Sequence, residues 1–202
     1  IDLSGKVGII AGGNGKMGRQ FASFLCKAGA TVILVDINTD VEKISIESIK
    51  GKVIGISCNL SSADEVTNLF EDLKQKFDKL DFFISNIMSK PDKYYEKFES
   101  YDEKTWNEVM NGNVTSSFML CQHASKLMKI HGGSIILTSS IYGLVGPDYR
   151  IYEDSQNNNP YDSDRKLTVP HSYTASKGAL ISLCKSLSIE LSIHKIRVNT
   201  LV

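Results

Sequence analysis

Six short apolar runs punctuate the 202-residue chain: VGIIA (7–11), TVILVD (31–36), KVIGISC (52–58), DFFISN (81–86), SIILTS (134–139) and IRVNTLV (196–202). They are rich in β-branched residues and continuous rather than alternating. That is the pattern of parallel strands covered on both faces. Amphipathic segments lie between them. The segment 17–28 stops at Gly29, a helix-ending residue. The segment 62–77 opens with Ser-Ala-Asp-Glu, which reads as a capping box. The segment 105–130 is predicted as one long helix ending near Gly132 and Gly133, and a further helix over 172–194 follows Pro170. Repeated strand–helix–strand units predict an α/β fold with a doubly wound parallel sheet, one domain over residues 1–202.

One stretch breaks the rhythm. Residues 147–170, PDYRIYEDSQNNNPYDSDRKLTVP, are rich in Asn, Asp, Tyr and Ser and have no sustained period. They read as a long polar loop at the end of an element, the kind of segment that usually carries function.

Composition narrows the function classes. Lys plus Arg equals Asp plus Glu at 23 each, so no net charge draws the chain to nucleic acid or to an anionic membrane. No apolar run has the length of a membrane span. The opening IDLSGKVGII lacks a basic region followed by an apolar stretch, so no signal peptide is expected. It also lacks a starting Met, an indication that the numbering begins inside the natural protein. Cys26, Cys58, Cys121 and Cys184 are scattered, with no CxxC pair and no metal-type cluster. Reduced, buried thiols in a cytoplasmic protein are the expectation. The four His residues have no ligand spacing, and His171 reads as a loop or capping residue.

Two constellations are candidates for chemistry, against the plain alternatives of a tight turn with a solvated Asp and a surface Tyr–Lys pair. The first strand runs into AGGNGKMGRQ, where Gly13, Gly15 and Gly18 fit G-x-G-x-x-G, and Gly12, Gly15 and Gly18 fit G-x-x-G-x-x-G. Such a turn lets backbone approach a pyrophosphate at a helix N-terminus, where free N–H groups and a positive dipole end await it. Asp36 ends the second strand, the place for a carboxylate that binds adenine-ribose hydroxyls. Its charge repels a 2′-phosphate, so NAD is expected over NADP. Lys16 and Arg19 pull the other way. The second constellation is Tyr173 with Lys177, on one helix face at i and i+4. A free phenol titrates near 10, too high for a base at neutral pH, and an adjacent ammonium favours its ionised form.

With these residues in place the chain resembles the short-chain dehydrogenase/reductase family, over nearly its whole length. DLSGKVGIIAGG looks like the family's opening, and CNLSS (58–62) sits where the adenine is met. DFFISNI (81–87) looks like the strand that carries Asn86. WNEVMNGNV puts Asn113, GSIILTSSIYG puts Ser140, and YTASK puts Tyr173 and Lys177 at the family's catalytic positions. The resemblance implies a Rossmann-like fold and hydride transfer between a nicotinamide cofactor and an alcohol or carbonyl substrate. Tyr173 is then the general acid/base, and Ser140 binds the substrate oxygen. Lys177 binds the nicotinamide ribose, and Asn113 holds a water that relays protons to Lys177. Cofactor contacts fall on Gly12, Asn14, Gly15, Met17, Gly18, Asp36, Ile37, Asn59, Leu60, Asn86 and Ile87, with Tyr173 and Lys177. Homodimers or homotetramers packed through the helices at 105–130 and 172–194 are implied as well.

The chain departs from the family pattern in three places. Lys16 stands where the short form has Gly, and the glycines at 12, 15 and 18 suit extended-form epimerases and dehydratases. Ile87-Met88 replaces Ala-Gly, and bulk there is expected to crowd the cofactor. Ser140 and Tyr173 lie 33 positions apart because of the 147–170 insertion. Its Tyr149, Tyr152 and Tyr161 suit a polyhydroxylated substrate such as a sugar, and its wording resembles members that modify bacterial surface sugars or flagellin. IRVNTLV normally continues into further elements, so a longer natural protein is expected. Two alternatives stand beside the dehydrogenase: an epimerase or dehydratase with bound NAD, and a binding protein of this fold without turnover.

Overall fold

The computed structural model describes residues 1–39, 50–152 and 168–202. Strands β1 (Val7–Ala11), β2 (Thr31–Asp36), β3 (Lys52–Ser57), β4 (Phe82–Ser85), β5 (Gly133–Thr138) and β6 (Ile196–Leu201) form one sheet. Every pairing is parallel, in the order β3-β2-β1-β4-β5-β6. All six apolar runs are therefore strands. Helices α1 (Lys16–Lys27), α2 (Ala63–Lys76), α3 (Glu103–Met110), α4 (Ser116–Met128) and α5 (His171–Glu190) connect or flank them.

Alternate residues of each strand feed two apolar layers. Ile9, Ala11, Ile33, Val35, Phe83, Ile135 and Leu137 pack with α2, α4 and α5 through Val66, Phe70, Leu120, Met128 and Leu180. Ile10, Val32, Leu34 and Ile84 pack on the opposite face with Ala22 and Cys26 of α1. Burial on both faces explains why the strands read as unbroken apolar runs. Each fully buried Ile or Leu contributes roughly 1.5–3 kcal/mol.

Two local expectations change. The helix predicted over 105–130 is α3 and α4 joined by a π turn, Asn111–Thr115. The Ser116 N–H reaches back five residues to the Asn111 carbonyl, and the Ser116 and Ser117 hydroxyls bond the carbonyls of Asn111 and Asn113. The Asn111 carbonyl thus accepts both the N–H and the hydroxyl of Ser116. At the start of α2, Ser62 accepts from the Glu65 N–H as the box requires, but the Glu65 carboxylate accepts from the N–H of Asn59. It ties down the preceding loop instead of the cap itself. The insertion begins with a 3₁₀ turn, Tyr149–Tyr152, and Tyr161 lies outside the described residues.

The chain fills β1, β2 and β3 to one side, then crosses to β4, β5 and β6 on the other. Strand ends diverge at this switch between β1 and β4, and a crevice opens there beyond the carboxyl ends.

Candidate active site

A cleft of about 590 Å³ occupies that crevice. Gly12, Gly15, Lys16 and Met17 form one wall, and Asp36, Ile37, Cys58, Asn59 and Leu60 form one end. Asn86, Ile87, Met88, Ser89, Lys90, Gly112, Thr138, Ser139, Tyr173 and Lys177 form the rest, with Ser61 beside Leu60. Residues from the carboxyl ends of β1 to β5, the π turn, the first turn of α1 and the first two turns of α5 thus converge where the fold leaves space.

Glycine spacing in the first loop has distinct physical causes. Gly12 has φ +71°, and a Cβ on it would lie 2.5 Å from the Asn86 carbonyl oxygen. A Cβ on Gly18 would lie 2.6 Å from the Gly12 oxygen and 2.7 Å from Gly13. Those two glycines let the loop, α1 and β4 close on one another. Gly15 differs: the nearest atom to its Cβ position is the Gly12 oxygen, 3.6 Å away, and the space beyond is the cleft. Gly15 is also the N-cap of α1. No side chain caps this helix and its first turn holds no acidic residue, so its leading N–H groups face the cleft without a protein anion.

Asp36 is set by two backbone amides. Its carboxylate accepts from Asn14 N–H at 2.9 Å and from Ile37 N–H at 2.8 Å, joining the end of β2 to the glycine loop. Arg19 is spent on the same loop: Nε and Nη2 donate to the Asn14 carbonyl and side-chain oxygens at 2.8 and 2.6 Å. Lys16 remains on the cleft wall. Leu60 is buried and Asn59 exposed, both at the Asp36 end. Asn86 donates its backbone N–H to Ala11 and its side-chain amide to Gly12. Ile87 packs partly against the main core, while both Ile87 and Met88 line the cleft.

Asn113 sits in the π turn with no solvent exposure. Its Oδ1 accepts from Ser89 N–H at 2.7 Å and its Nδ2 donates to Ser176 Oγ at 3.0 Å. The amide ties the loop after β4 to α5, and its neighbour Gly112 meets the cleft. Ser140 caps a 3₁₀ turn, Ile141–Gly143, and its Oγ accepts from Tyr142 N–H at 3.2 Å. Ser139 next to it donates to the Lys177 carbonyl at 2.7 Å. Gly143 presses on α5 so closely that a Cβ would come within 2.8 Å of the Lys177 carbonyl carbon. These contacts hold the Ser140 turn against the helix that bears Tyr173.

Tyr173 lies in the first turn of α5 and Lys177 one turn later. The Lys177 ammonium is buried, donates to the Thr138 carbonyl at 2.7 Å, and lies 5.7 Å from the centroid of the Tyr173 ring. Desolvation lowers its pKa to about 8. Two other phenols lie within electrostatic reach of Tyr173. Tyr94 is buried and Tyr152 lies in the insertion; the negative charge of an ionised Tyr173 would reach both, and burial is the main cause that raises each. Tyr152 is hydrogen-bonded to Tyr142 at 2.7 Å. His171, at the start of α5, packs edge-on against Phe98.

Sequence reasoning missed Thr138, Ser139, Ser89 and Ser176. The TSS run closing β5 was the only available signal for the first two, and it had drawn attention to Ser140 alone. The other two are common hydroxyl residues whose partners lie 24 and 63 positions away in sequence.

Residues 12–158 match the family model described as Enoyl-(Acyl carrier protein) reductase. The chain is 28% identical over 204 residues to the 3-oxoacyl-[acyl-carrier-protein] reductase FabG of Aquifex aeolicus, covering 98% of this chain and 73% of that protein. It resembles the NAD⁺-bound short-chain dehydrogenase of Leptospira borgpetersenii at 25% identity and TM-score 0.80, covering 98% of this chain and 70% of that one. The NADP complex of Pseudomonas aeruginosa RhlG shares the fold at 24% identity and TM-score 0.81, with 98% and 72% covered. The chain belongs to the short-chain dehydrogenase/reductase family of oxidoreductases.

Proposed function

We propose that the protein interconverts an alcohol and a carbonyl compound with NAD(H), using Tyr173 as general acid/base. The observation that carries this reading is one cleft with the glycine loop and Asp36 at one end and Tyr173 with Lys177 at the other. The residues fit a dinucleotide. Gly15 leaves a cradle that a Cβ would fill, the N-terminus of α1 awaits an anion, and the buried Thr138 Oγ1 lacks a protein partner. Gly12, Asn14, Gly15, Met17 and Gly18 would hold the pyrophosphate side, Asp36, Ile37, Asn59 and Leu60 the adenosine side, and Asn86, Ile87, Tyr173 and Lys177 the nicotinamide side. When bound, the nicotinamide accepts or supplies the hydride.

The chain's own groups handle the proton. In the oxidative direction the Tyr173 oxygen removes the carbinol proton; in the reductive direction it returns one to the carbonyl oxygen. Ser140 accepts from Tyr142 N–H, which leaves its own O–H to donate to the substrate oxygen. Lys177 sets a positive charge near the phenol and is anchored by Thr138. Asn113 fixes the turn of α5 that carries both, and the π turn beside it is where a relay water would be held.

Asp36 favours NAD, since its carboxylate suits ribose hydroxyls and repels a 2′-phosphate. Arg19 directs two of its N–H groups at Asn14 rather than at the cleft, which supports the same preference. The hydroxyls of Tyr142, just after Ser140, and Tyr152, in the insertion, meet at 2.7 Å, and these two phenols favour a polyhydroxylated substrate. Trp106, Phe118 and Ile189 leave apolar surface on α3, α4 and α5, which supports a homodimer or homotetramer through these helices. Four free, buried thiols support a reducing, cytoplasmic setting. Among the described residues no helix is long and apolar enough to cross a membrane.

A panel of sugars, polyols and keto-derivatives, followed at the NADH absorbance band, tests the reading. Net NADH production or consumption supports it. Product formation with no net change in NADH favours epimerisation or dehydration instead.

A further inference from the structure

The 3₁₀ turn that opens the insertion, Tyr149–Tyr152, touches both elements that carry the proposed proton chemistry. At its far end the Tyr152 hydroxyl meets the Tyr142 hydroxyl at 2.7 Å. At its near end the Tyr149 hydroxyl donates to the Val169 carbonyl at 3.3 Å. The Tyr149 ring lies 6.3 Å from that of His171, the first residue of α5. One contact thus reaches the turn that Ser140 caps, and the other reaches the start of the helix that bears Tyr173. The bonded residues are 10 and 20 positions apart, so both bonds are made by the tertiary fold rather than by a local turn.

The Ser140 turn needs a tie on its outer side. Its inner side is held on α5, where Ser139 donates to the Lys177 carbonyl and Gly143 backs onto Lys177. On the outer side Ile141 is 59% and Leu144 63% exposed, so packing does little to fix the turn there. Tyr142 is half-buried and joins the two parts. Its backbone N–H donates to Ser140 Oγ at 3.2 Å, and its phenol is bonded to Tyr152. A bond that fixes Tyr142 also fixes the amide that orients the Ser140 hydroxyl. Small errors in aim at a reacting oxygen are costly in rate. Resting on the proton-transfer reading above, we infer that the first turn of the insertion braces the Ser140 turn against the start of α5. Tyr152 is then a positioning residue for Ser140, acting through Tyr142.

Tyr152→Phe and Tyr142→Phe test this, because each removes one hydroxyl and keeps the ring. They are compared with the double variant, with Ser140→Ala, and with Tyr152→Phe made in the Ser140→Ala protein. Turnover of the best substrate from the panel is measured beside NAD⁺ affinity by calorimetry. Each single phenylalanine variant should lower kcat about three- to tenfold, the worth of one neutral hydrogen bond, and keep wild-type NAD⁺ affinity. The double variant should be no slower than either single one, since the same bond is lost once. In the Ser140→Ala protein, Tyr152→Phe should change nothing further, because the group it positions is gone. Normal kcat in Tyr152→Phe, additive losses in the double variant, or an undiminished effect of Tyr152→Phe without Ser140 would each overturn the brace and leave the role of Tyr173 intact. Loss of NAD⁺ affinity in step with kcat would make the bond a general structural one and would also overturn it. Near-normal turnover by Ser140→Ala or Tyr173→Phe would overturn the proton-transfer reading and the brace together.

Discussion

Lys177 stands over the ring of Tyr173, its ammonium 5.7 Å from the ring centroid, one helical turn further along α5. The i, i+4 spacing alone made the two side chains neighbours. Burial and the Thr138 carbonyl make the arrangement specific, because a desolvated ammonium is held where it is hydrogen-bonded and near π electrons. An exposed lysine at the same spacing would spend its time in water.

Burial of Lys177 has a pH signature. Its pKa falls from 10.5 to about 8 on folding, so the folded state releases its proton first. Below pH 8 the group is charged in both states and the desolvation penalty is full. Between about 8 and 10.5 the unfolded chain binds more protons, and stability rises with pH. Burial raises Cys26 and Cys58 to about 11 and Cys121 to about 12, which opposes this from pH 9 upward. The difference between wild type and Lys177→Met isolates the lysine. Denaturant midpoints of wild type should gain on those of the variant from pH 8 to 10. A constant difference across that range would show that Lys177 is solvated.

Asp36 has two roles that one substitution separates. Asp36→Ala should narrow the preference for NAD over NADP, since the repulsion of a 2′-phosphate disappears. It should also loosen the glycine loop, because the Asn14 amide loses its acceptor. Affinities for both cofactors, measured by titration of each protein, check the first effect. Equal or tighter NADP binding by wild type would contradict it and assign Lys16 as the phosphate ligand.

Gly15 and Gly18 should respond oppositely to alanine. A Cβ on Gly18 collides with the backbone of Gly12 and Gly13, so Gly18→Ala should cost stability, about 1–3 kcal/mol for an overpacked site. A Cβ on Gly15 enters the cleft, so Gly15→Ala should melt near wild type yet bind NAD poorly. Melting curves with and without NAD distinguish them. Normal NAD binding by Gly15→Ala would remove the pyrophosphate from this turn.

The fold was legible in the sequence because both faces of its strands are covered. VGIIA and TVILVD have no polar alternation to confuse with a surface strand, and VGIIA runs straight into the glycine turn. The glycine loop, Asp36, Tyr173 and Lys177 were legible because each obeys a local spacing rule. Other features of the site were hidden for a shared physical reason. The π turn is one widened turn, closed by the Ser116 N–H on the Asn111 carbonyl, which a 3.6-residue period conceals. The Asn113 bonds to Ser89 and Ser176, and the Tyr142–Tyr152 bond, join residues whose proximity is made by the tertiary fold. Ile87 and Met88, which break the family pattern in sequence, both line the cleft, and Ile87 also packs partly against the core layer.

The central claim is that Tyr173 moves the proton while the rest of the cleft binds the cofactor. Tyr173→Phe removes one oxygen and leaves the ring packed beside Lys177. Turnover of the best substrate from the panel, followed at the NADH band, should fall about 10²–10⁴-fold, the usual size of a general acid–base contribution. Melting temperature and NAD affinity should stay close to wild type. Near-normal turnover by folded Tyr173→Phe would contradict the account and leave Tyr173 and Lys177 as packing partners on a helix face.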